Sequence, residues 1–112
     1  MAKVPAYFDG LIAAFRKGKP GRFVHLGHWH RPEEAERNEP GEFLRAQRRL
    51  DDVLIGMAAL ADGQAVLDVG CGLGGTLETI DRQRRAMRLV GLNIDRASST
   101  SAARWRRRPA TA

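Results

Sequence analysis

The chain has 112 residues and a formal net charge of +6, a length that allows one domain or part of one. Residues 96–112 hold five arginines and no acidic residue, so residues 1–95 carry 14 basic and 13 acidic groups and are nearly neutral. The single cysteine, Cys71, excludes an intramolecular disulfide framework. With no signal-peptide pattern and no run of roughly 20 apolar residues, we expect a cytoplasmic protein without a membrane span.

The first half of the chain predicts two amphipathic helices with an irregular segment between them. Apolar residues recur at helical spacing over residues 4–15, and again over residues 42–61. Between these helices, FVHLGHWH is expected to be extended or irregular, and RPEEAERNEPG to be a polar loop or a frayed helical turn. The apolar positions of the longer helix are Phe43, Ala46, Leu50, Val53, Leu54, Met57 and Ala61.

The second half predicts one β-α-β unit. AVLDV at 65–69 is typical of a buried strand, residues 76–87 of a helix, and LVGLNI at 89–94 of a second strand parallel to the first. Leu77, Ile80 and Met87 of the helical segment are expected to face the core. The fold class is therefore α/β, with a helical cap (1–63), the start of a cofactor-binding domain (64–95) and a basic low-complexity tail (96–112).

The strongest chemical signal is the glycine cluster LDVGCGLGG between the first strand and the helix. Glycines there let the backbone turn sharply and approach a ligand near the helix N-terminus. Gly70, Gly72 and Gly75 also satisfy the G-x-G-x-x-G pattern of dinucleotide enzymes. Two classes of ligand therefore compete for this turn: dinucleotides and S-adenosyl-L-methionine. Asp68 discriminates between them, because a carboxylate would repel the pyrophosphate of a dinucleotide but could orient the cationic amino-acid end of S-adenosyl-L-methionine. Cys71 is expected to pack within the turn, not to act as a nucleophile.

DVGCGLG resembles motif I of the class I S-adenosylmethionine-dependent methyltransferases, whose acid and three glycines match the sequence here. The resemblance implies a Rossmann-like methyltransferase sheet. It also implies a residue at the end of the second strand that binds the cofactor ribose, usually an acid. Asn93 occupies that position, and Asp95 two residues later either substitutes for the acid or begins the next helix. The implied cofactor-binding residues are Asp68, Gly70, Cys71, Gly72, Gly74, Asn93 and Asp95.

Two further segments resemble one branch of that family. GLNI is similar to the GINIS-like segment of small-molecule methyltransferases of the cyclopropane-synthase and tocopherol-methyltransferase type. VHLGHW, followed by a loop and a long helix, resembles the segment that packs over the cofactor in that branch. By this resemblance, the candidate lid or acceptor-pocket residues are Tyr7, His25, Gly27 and Trp29.

The expected function is therefore methyl transfer from S-adenosyl-L-methionine to a small-molecule acceptor, with no catalytic residue identified. No metal site is expected, because no carboxylate or cysteine completes a recognisable ligand set with the three histidines of HLGHWH. Two alternatives stay open: an NAD- or FAD-binding oxidoreductase half-domain, and a basic nucleic-acid-binding module that uses the tail. If the methyltransferase interpretation holds, no nucleic-acid partner is expected, and the sequence does not predict the oligomeric state.

The tail RASSTSAARWRRRPATA begins where the family would place its next helix. Its composition is typical of GC-rich DNA translated out of frame, so we expect a truncated, catalytically incomplete methyltransferase. Two strands would leave an open apolar edge, which predicts low stability and aggregation.

Overall fold

The computed structural model describes residues 6–19 and 21–94 of the chain. The two strands pair in parallel, with Leu67 opposite Val90 and Val69 opposite Leu92. This confirms the α/β class and makes the described chain a partial Rossmann-like arrangement. Asp95 and the tail, with the expected break in reading frame, lie outside the described residues. The elements are α1 (Ala6–Arg16), α2 (Pro32–Glu36), α3 (Glu42–Met57), β1 (Ala65–Val69), α4 (Gly75–Gln83) and β2 (Arg88–Leu92).

The chain divides into two units. The sheet unit contains the described residues up to Val24 and from Ala61 onward, and the α3 unit is His25–Leu60. The expected division into a cap (1–63), a cofactor-binding region (64–95) and a tail (96–112) stays a prediction. Among the described residues, none of the helices combines the length and the apolar character needed to cross a membrane.

The core of the sheet unit is built mainly from α4 and the residues that flank it. Leu77, Ile80 and Met87 are buried, as their helical spacing predicts. Glu78 in the first turn of α4 and Arg82 in its last turn complement the helix dipole. Parallel strands need such a crossover connection, so burial of one face of α4 stabilises the strand pair as well as the helix.

One face of the two-stranded sheet is exposed, which corrects the expectation of a buried first strand. Leu67 and Val69 of β1 are 58% and 76% exposed, and Val90 and Leu92 of β2 are 53% and 52% exposed. The register places all four on the same face, because side chains alternate along a strand. Leu89, on the opposite face, is buried. No described residue covers the apolar face.

The α3 unit corrects the predicted long helix in two ways. The helix ends at Met57, before the expected residue 61, because Ala59 takes a left-handed φ of 48° that a continuing helix cannot hold. Its buried face is also rotated from the apolar stripe, since the exposed side chains include Phe43, Val53, Leu54 and Met57. The buried residues of α3 are Ala46, Gln47, Asp51 and Ile55.

The remaining boundaries differ from the predictions by a few residues. Helix α4 ends at Gln83, before the expected residue 87, because Arg84 is extended. Asp62 Oδ1 accepts the Arg85 backbone N–H at 2.8 Å, and the Gly63 N–H donates to the Arg85 oxygen at 2.9 Å. These bonds tie the end of α4 to the start of β1. The polar segment after Arg31 contains the short helix α2, which is the helical turn that the sequence allows.

Candidate functional site

The turn between β1 and α4, residues 70–74, is a succession of left-handed glycines. Gly70, Gly72 and Gly74 have φ values of 84°, 54° and 80°, a region that side-chain-bearing residues seldom occupy. The backbone N–H groups of Gly70 and Cys71 both donate to the carbonyl oxygen of Leu92, at 2.7 and 3.0 Å. The turn is therefore held against the carboxyl end of β2, where ligands bind in open α/β sheets.

The glycines of the turn and Gly75, the first residue of α4, face different surroundings. A Cβ at position 70 would meet no atom within 4 Å, so this side of the backbone is open. A Cβ at position 72 would lie 3.3 Å from a methyl group of Val24. At position 75 it would lie 2.6 Å from the Phe23 ring. Gly70 is thus the place where a ligand can approach the main chain, whereas Gly75 is covered by the chain itself.

Two groups at the turn set its electrostatics. Asp68 is half-buried in β1, opposite Gly91, one residue before the strand ends. Burial, and then the negative charge of Asp68, raise the pKa of the Cys71 thiol above its ordinary 9.0. A protonated thiol is a poor nucleophile. The Cys71 sulfur would lie 2.6 Å from a Cβ at Gly91, so the side chain fills space against β2.

The other residues predicted for the sheet unit are only partly brought to the turn. Asn93 is half-buried and follows β2 directly, next to Leu92, whose carbonyl oxygen holds Gly70 and Cys71. Tyr7 lies in the first turn of α1 and is 59% exposed. The structure therefore places Asn93 at the same sheet end as the glycine turn.

The three other candidate pocket residues lie together in the α3 unit. Gly27 has a φ of 85°, and a Cβ there would lie 2.7 Å from the backbone carbon of Ala46. The Trp29 indole N–H donates to the Leu26 carbonyl at 3.0 Å. The backbone carbonyl of His25 accepts a bond from the Gln47 amide at 2.7 Å. These contacts hold the loop of residues 25–30 closely against α3.

Sequence reasoning missed the polar side chains of α3 that organise this loop. Asp51 is fully buried, and its Oδ1 lies 3.5 Å from Nε2 of His25. Gln47 is buried one helical turn earlier. The spacing of Gln47 and Asp51, at i and i+4, was the signal that could have indicated this contact. Two polar groups on one helix face need polar partners when that face is buried.

Arg49 is the second organiser that the sequence did not reveal. Its Nε donates to the His28 carbonyl at 3.1 Å, and its guanidinium lies 5.9 Å from the Trp29 ring centroid. Arg49 also bonds Glu42 at 2.9 Å, and hydrogen bonds from Arg49 and then Arg45 lower the pKa of Glu42. A charged cavity of about 160 Å³ adjoins this cluster. Among residues 6–19 and 21–94, no three His, Cys, Asp or Glu side chains converge as metal ligands would.

Comparison with known proteins supports the fold. No family model matches the chain, and no curated protein matches it. A solved structure, the crystal structure of the [4+2]-cyclase SpnF, is similar with a TM-score of 0.66 and 23% sequence identity, over 88% of this chain. The chain spans 33% of the length of the SpnF chain. SpnF has a methyltransferase-like fold, so the described residues share part of that α/β fold.

Proposed function

We propose that the glycine turn binds S-adenosyl-L-methionine and that the protein transfers a methyl group from it to a small-molecule acceptor. The observation that carries the proposal is the open side of Gly70. Its left-handed backbone borders empty space at the end of β1, between an acid and the first turn of a helix. A backbone without side chains in such a position can approach a ligand closely.

The chemistry of the turn suits this cofactor better than a dinucleotide. S-adenosyl-L-methionine carries no phosphate, and its amino-acid end includes an ammonium group that a carboxylate can attract. Asp68 supplies a carboxylate beside the turn, and its charge is strong enough there to help raise the pKa of Cys71. A pyrophosphate would meet that same charge with repulsion.

When bound, the cofactor would supply an electrophilic methyl group for direct displacement by a carbon, oxygen or nitrogen nucleophile. The turn, with Asp68 and Asn93, would hold the donor in place. Much of the rate of such a step can come from aligning donor and acceptor. The candidate acceptor-pocket residues are Tyr7, His25, Gly27 and Trp29, and the small-molecule branch of the family stays part of this proposal.

SpnF is named as a cyclase, so the likeness supports the fold and leaves the reaction to experiment. The runner-up is a nicotinamide or flavin site, which the spacing of Gly70, Gly72 and Gly75 favours. In that fingerprint the third glycine allows close packing. Here Gly75 packs closely on Phe23.

Calorimetry separates the two candidates. We expect saturable binding of S-adenosylhomocysteine, with no saturable binding of NAD(H) or FAD. Asp68→Ala should weaken the binding about tenfold, the loss expected for a hydrogen bond or ion pair with a charged group. Asp9→Ala, an exposed acid on α1, is the matched control and should bind like the wild type. Binding of NAD(H) or FAD in place of S-adenosylhomocysteine would overturn the proposal in favour of the runner-up.

Transfer itself is tested with methyl-labelled cofactor and a panel of small nucleophiles. Completed transfer would place label in an acceptor together with an equal amount of S-adenosylhomocysteine, whereas the catalytically incomplete chain that the sequence predicts would bind the cofactor and leave its label in place. Bound cofactor that yields a cyclised or otherwise rearranged product without loss of its methyl group would place the reaction in another class.

A further inference from the structure

We propose that Arg22 binds the carboxylate of the cofactor's amino-acid end, and that Glu78 holds the Arg22 guanidinium in place while no cofactor is bound. This inference rests on the proposed function, because it assigns a binding residue to the same turn. It concerns a residue outside the glycine motif, on the segment that precedes the α3 unit.

Residues 22–24, which we call the strap, pack directly on the glycine turn. The Arg22 carbonyl oxygen would lie 2.9 Å from a Cβ at Gly75, and the Phe23 ring would lie 2.6 Å from the same Cβ. Val24 contacts the turn at Gly72. The missing side chains of the two glycines therefore admit the strap, which fixes the main chain of Arg22 beside the first turn of α4.

The Arg22 side chain extends toward α4. Its Nε lies 3.4 Å from Oε2 of Glu78, in the first turn of that helix. The guanidinium carbon lies 5.0 Å from the ring centroid of Phe15, a distance at which a cation and an aromatic face attract. The two side chains of the ion pair are 32% and 35% exposed, so a ligand can reach the guanidinium.

The amino-acid end of the cofactor needs two kinds of partner. It carries an ammonium group and a carboxylate, and Asp68 can attract only the first. A planar guanidinium binds a carboxylate through two parallel hydrogen bonds, a geometry that a lysine cannot offer. Arg22 supplies a guanidinium beside the first turn of α4, the helix that follows the glycine turn directly.

Glu78 fits the role of an exchangeable partner. It offers Arg22 a carboxylate, the same group that the cofactor would offer, so binding would replace one ion pair by another. A pair this exposed contributes little to stability, and its loss is offset by hydration of Glu78. The exchange would therefore oppose binding only weakly.

The test uses two ligands and three variants in calorimetry. S-adenosylhomocysteine contains the carboxylate, whereas 5′-methylthioadenosine lacks the whole amino-acid end. Arg22→Gln should weaken binding of S-adenosylhomocysteine about tenfold and leave that of 5′-methylthioadenosine unchanged. Glu78→Gln should strengthen binding of S-adenosylhomocysteine by about two- to fivefold, because the carboxylate that competes for Arg22 is removed. Arg82→Gln, with the same loss of charge at the far end of α4, is the control and should change neither.

The opposite signs of the two variants are the decisive result. If Arg22→Gln and Glu78→Gln both weaken binding of S-adenosylhomocysteine, the ion pair only holds the strap on α4, and the inference is overturned. If Arg22→Gln binds S-adenosylhomocysteine as tightly as the wild type, Arg22 is not the carboxylate ligand, although the proposed function stands. If the wild type binds neither ligand, the cofactor site itself fails and the inference fails with it. Circular dichroism of each variant checks that α4 and the sheet are retained.

Discussion

Gly27 of the α3 unit and Gly70 of the sheet unit have nearly the same left-handed φ and opposite surroundings. Their φ values are 85° and 84°. A Cβ at Gly27 would collide with the backbone of α3, and a Cβ at Gly70 would enter open space. A left-handed glycine alone therefore does not mark a ligand site. Gly27 lets the loop pack against α3, whereas Gly70 leaves room for a ligand.

The largest expected effect comes from filling the space at Gly27. Gly27→Ala should lower the free energy of unfolding by roughly 3 kcal/mol, because the added methyl group overlaps a backbone that cannot move without distorting α3. Gly18→Ala is the matched control, since Gly18 has a φ of 84° with nothing within 4 Å of its Cβ. Gly18→Ala should lower the free energy of unfolding by about 1 kcal/mol, which is the cost of placing an alanine in a left-handed backbone without any steric overlap. Urea unfolding measures both, and equal losses would show that the Gly27 contact is not tight.

The second effect concerns the buried acid of the α3 unit. Asp51→Ala should cost about 2 kcal/mol, because it removes a fully buried carboxylate beside His25 and leaves a polar site without its partner. Hydrogen exchange of the α3 amides should rise in step. Glu36→Ala, an exposed acid at the end of α2, is the control and should change stability by less than about 0.5 kcal/mol. Unchanged exchange in Asp51→Ala would mean that the pair with His25 does not stabilise α3.

The third effect concerns Gly70, the glycine with open surroundings. Gly70→Ala should cost about 1 kcal/mol of stability, from its left-handed backbone, but weaken S-adenosylhomocysteine binding by at least about tenfold. Gly63→Ala is matched to it in the same unit, with a φ of 80° and no atom within 4 Å of its Cβ. It should lose the same stability and no affinity. Equal affinity in the two variants would mean that ligand does not approach Gly70.

The contrast between these glycines also shows how far the sequence could go. It predicted the β-α-β unit, because β-branched residues, glycines and helical spacing follow each other within thirty residues. The motif likewise located the open turn. Sequence spacing could not distinguish Gly70 from Gly75, since only the path of Phe23 determines which of the two is covered.

In the α3 unit the prediction failed for a different physical reason. An apolar stripe predicts the buried face of a helix when apolar burial is the only force at work. Here the buried face carries Gln47 and Asp51, each with a contact to His25, while Phe43 and Met57 are exposed. Such polar contacts join residues more than twenty positions apart, and no local pattern encodes them.

The fourth effect is a shift of one titration within the α3 unit. Arg49→Gln should raise the pKa of Glu42, because the hydrogen bond from Arg49 is the largest cause of its lowering, and Arg45→Gln should raise it as well, because the hydrogen bond from Arg45 is the second. Since the folded pKa lies below the ordinary 4.5, the pair stabilises the fold above that pH and loses its effect as the pH falls through the lowered value. Carbon-detected NMR titration of the Glu42 carboxyl measures the shift. An unchanged pKa of Glu42 in Arg49→Gln would contradict the assigned hydrogen bond.

The smallest effect returns to the glycine turn and concerns Cys71. Burial and the charge of Asp68 raise the pKa of the thiol, so its alkylation by iodoacetamide should be slow at pH 8 and should reach half its maximal rate above pH 9.0. Asp68→Asn and unfolding in urea should both lower that midpoint. The substitution should lower it less, because burial is a larger cause of the raised pKa than the charge of Asp68. The raised pKa also favours the fold below pH 9.0, and this contribution is lost as the pH rises through the folded value. A midpoint below 9.0 in the folded protein would instead identify an activated thiol, and the turn would then be a site of cysteine chemistry as well as of ligand binding.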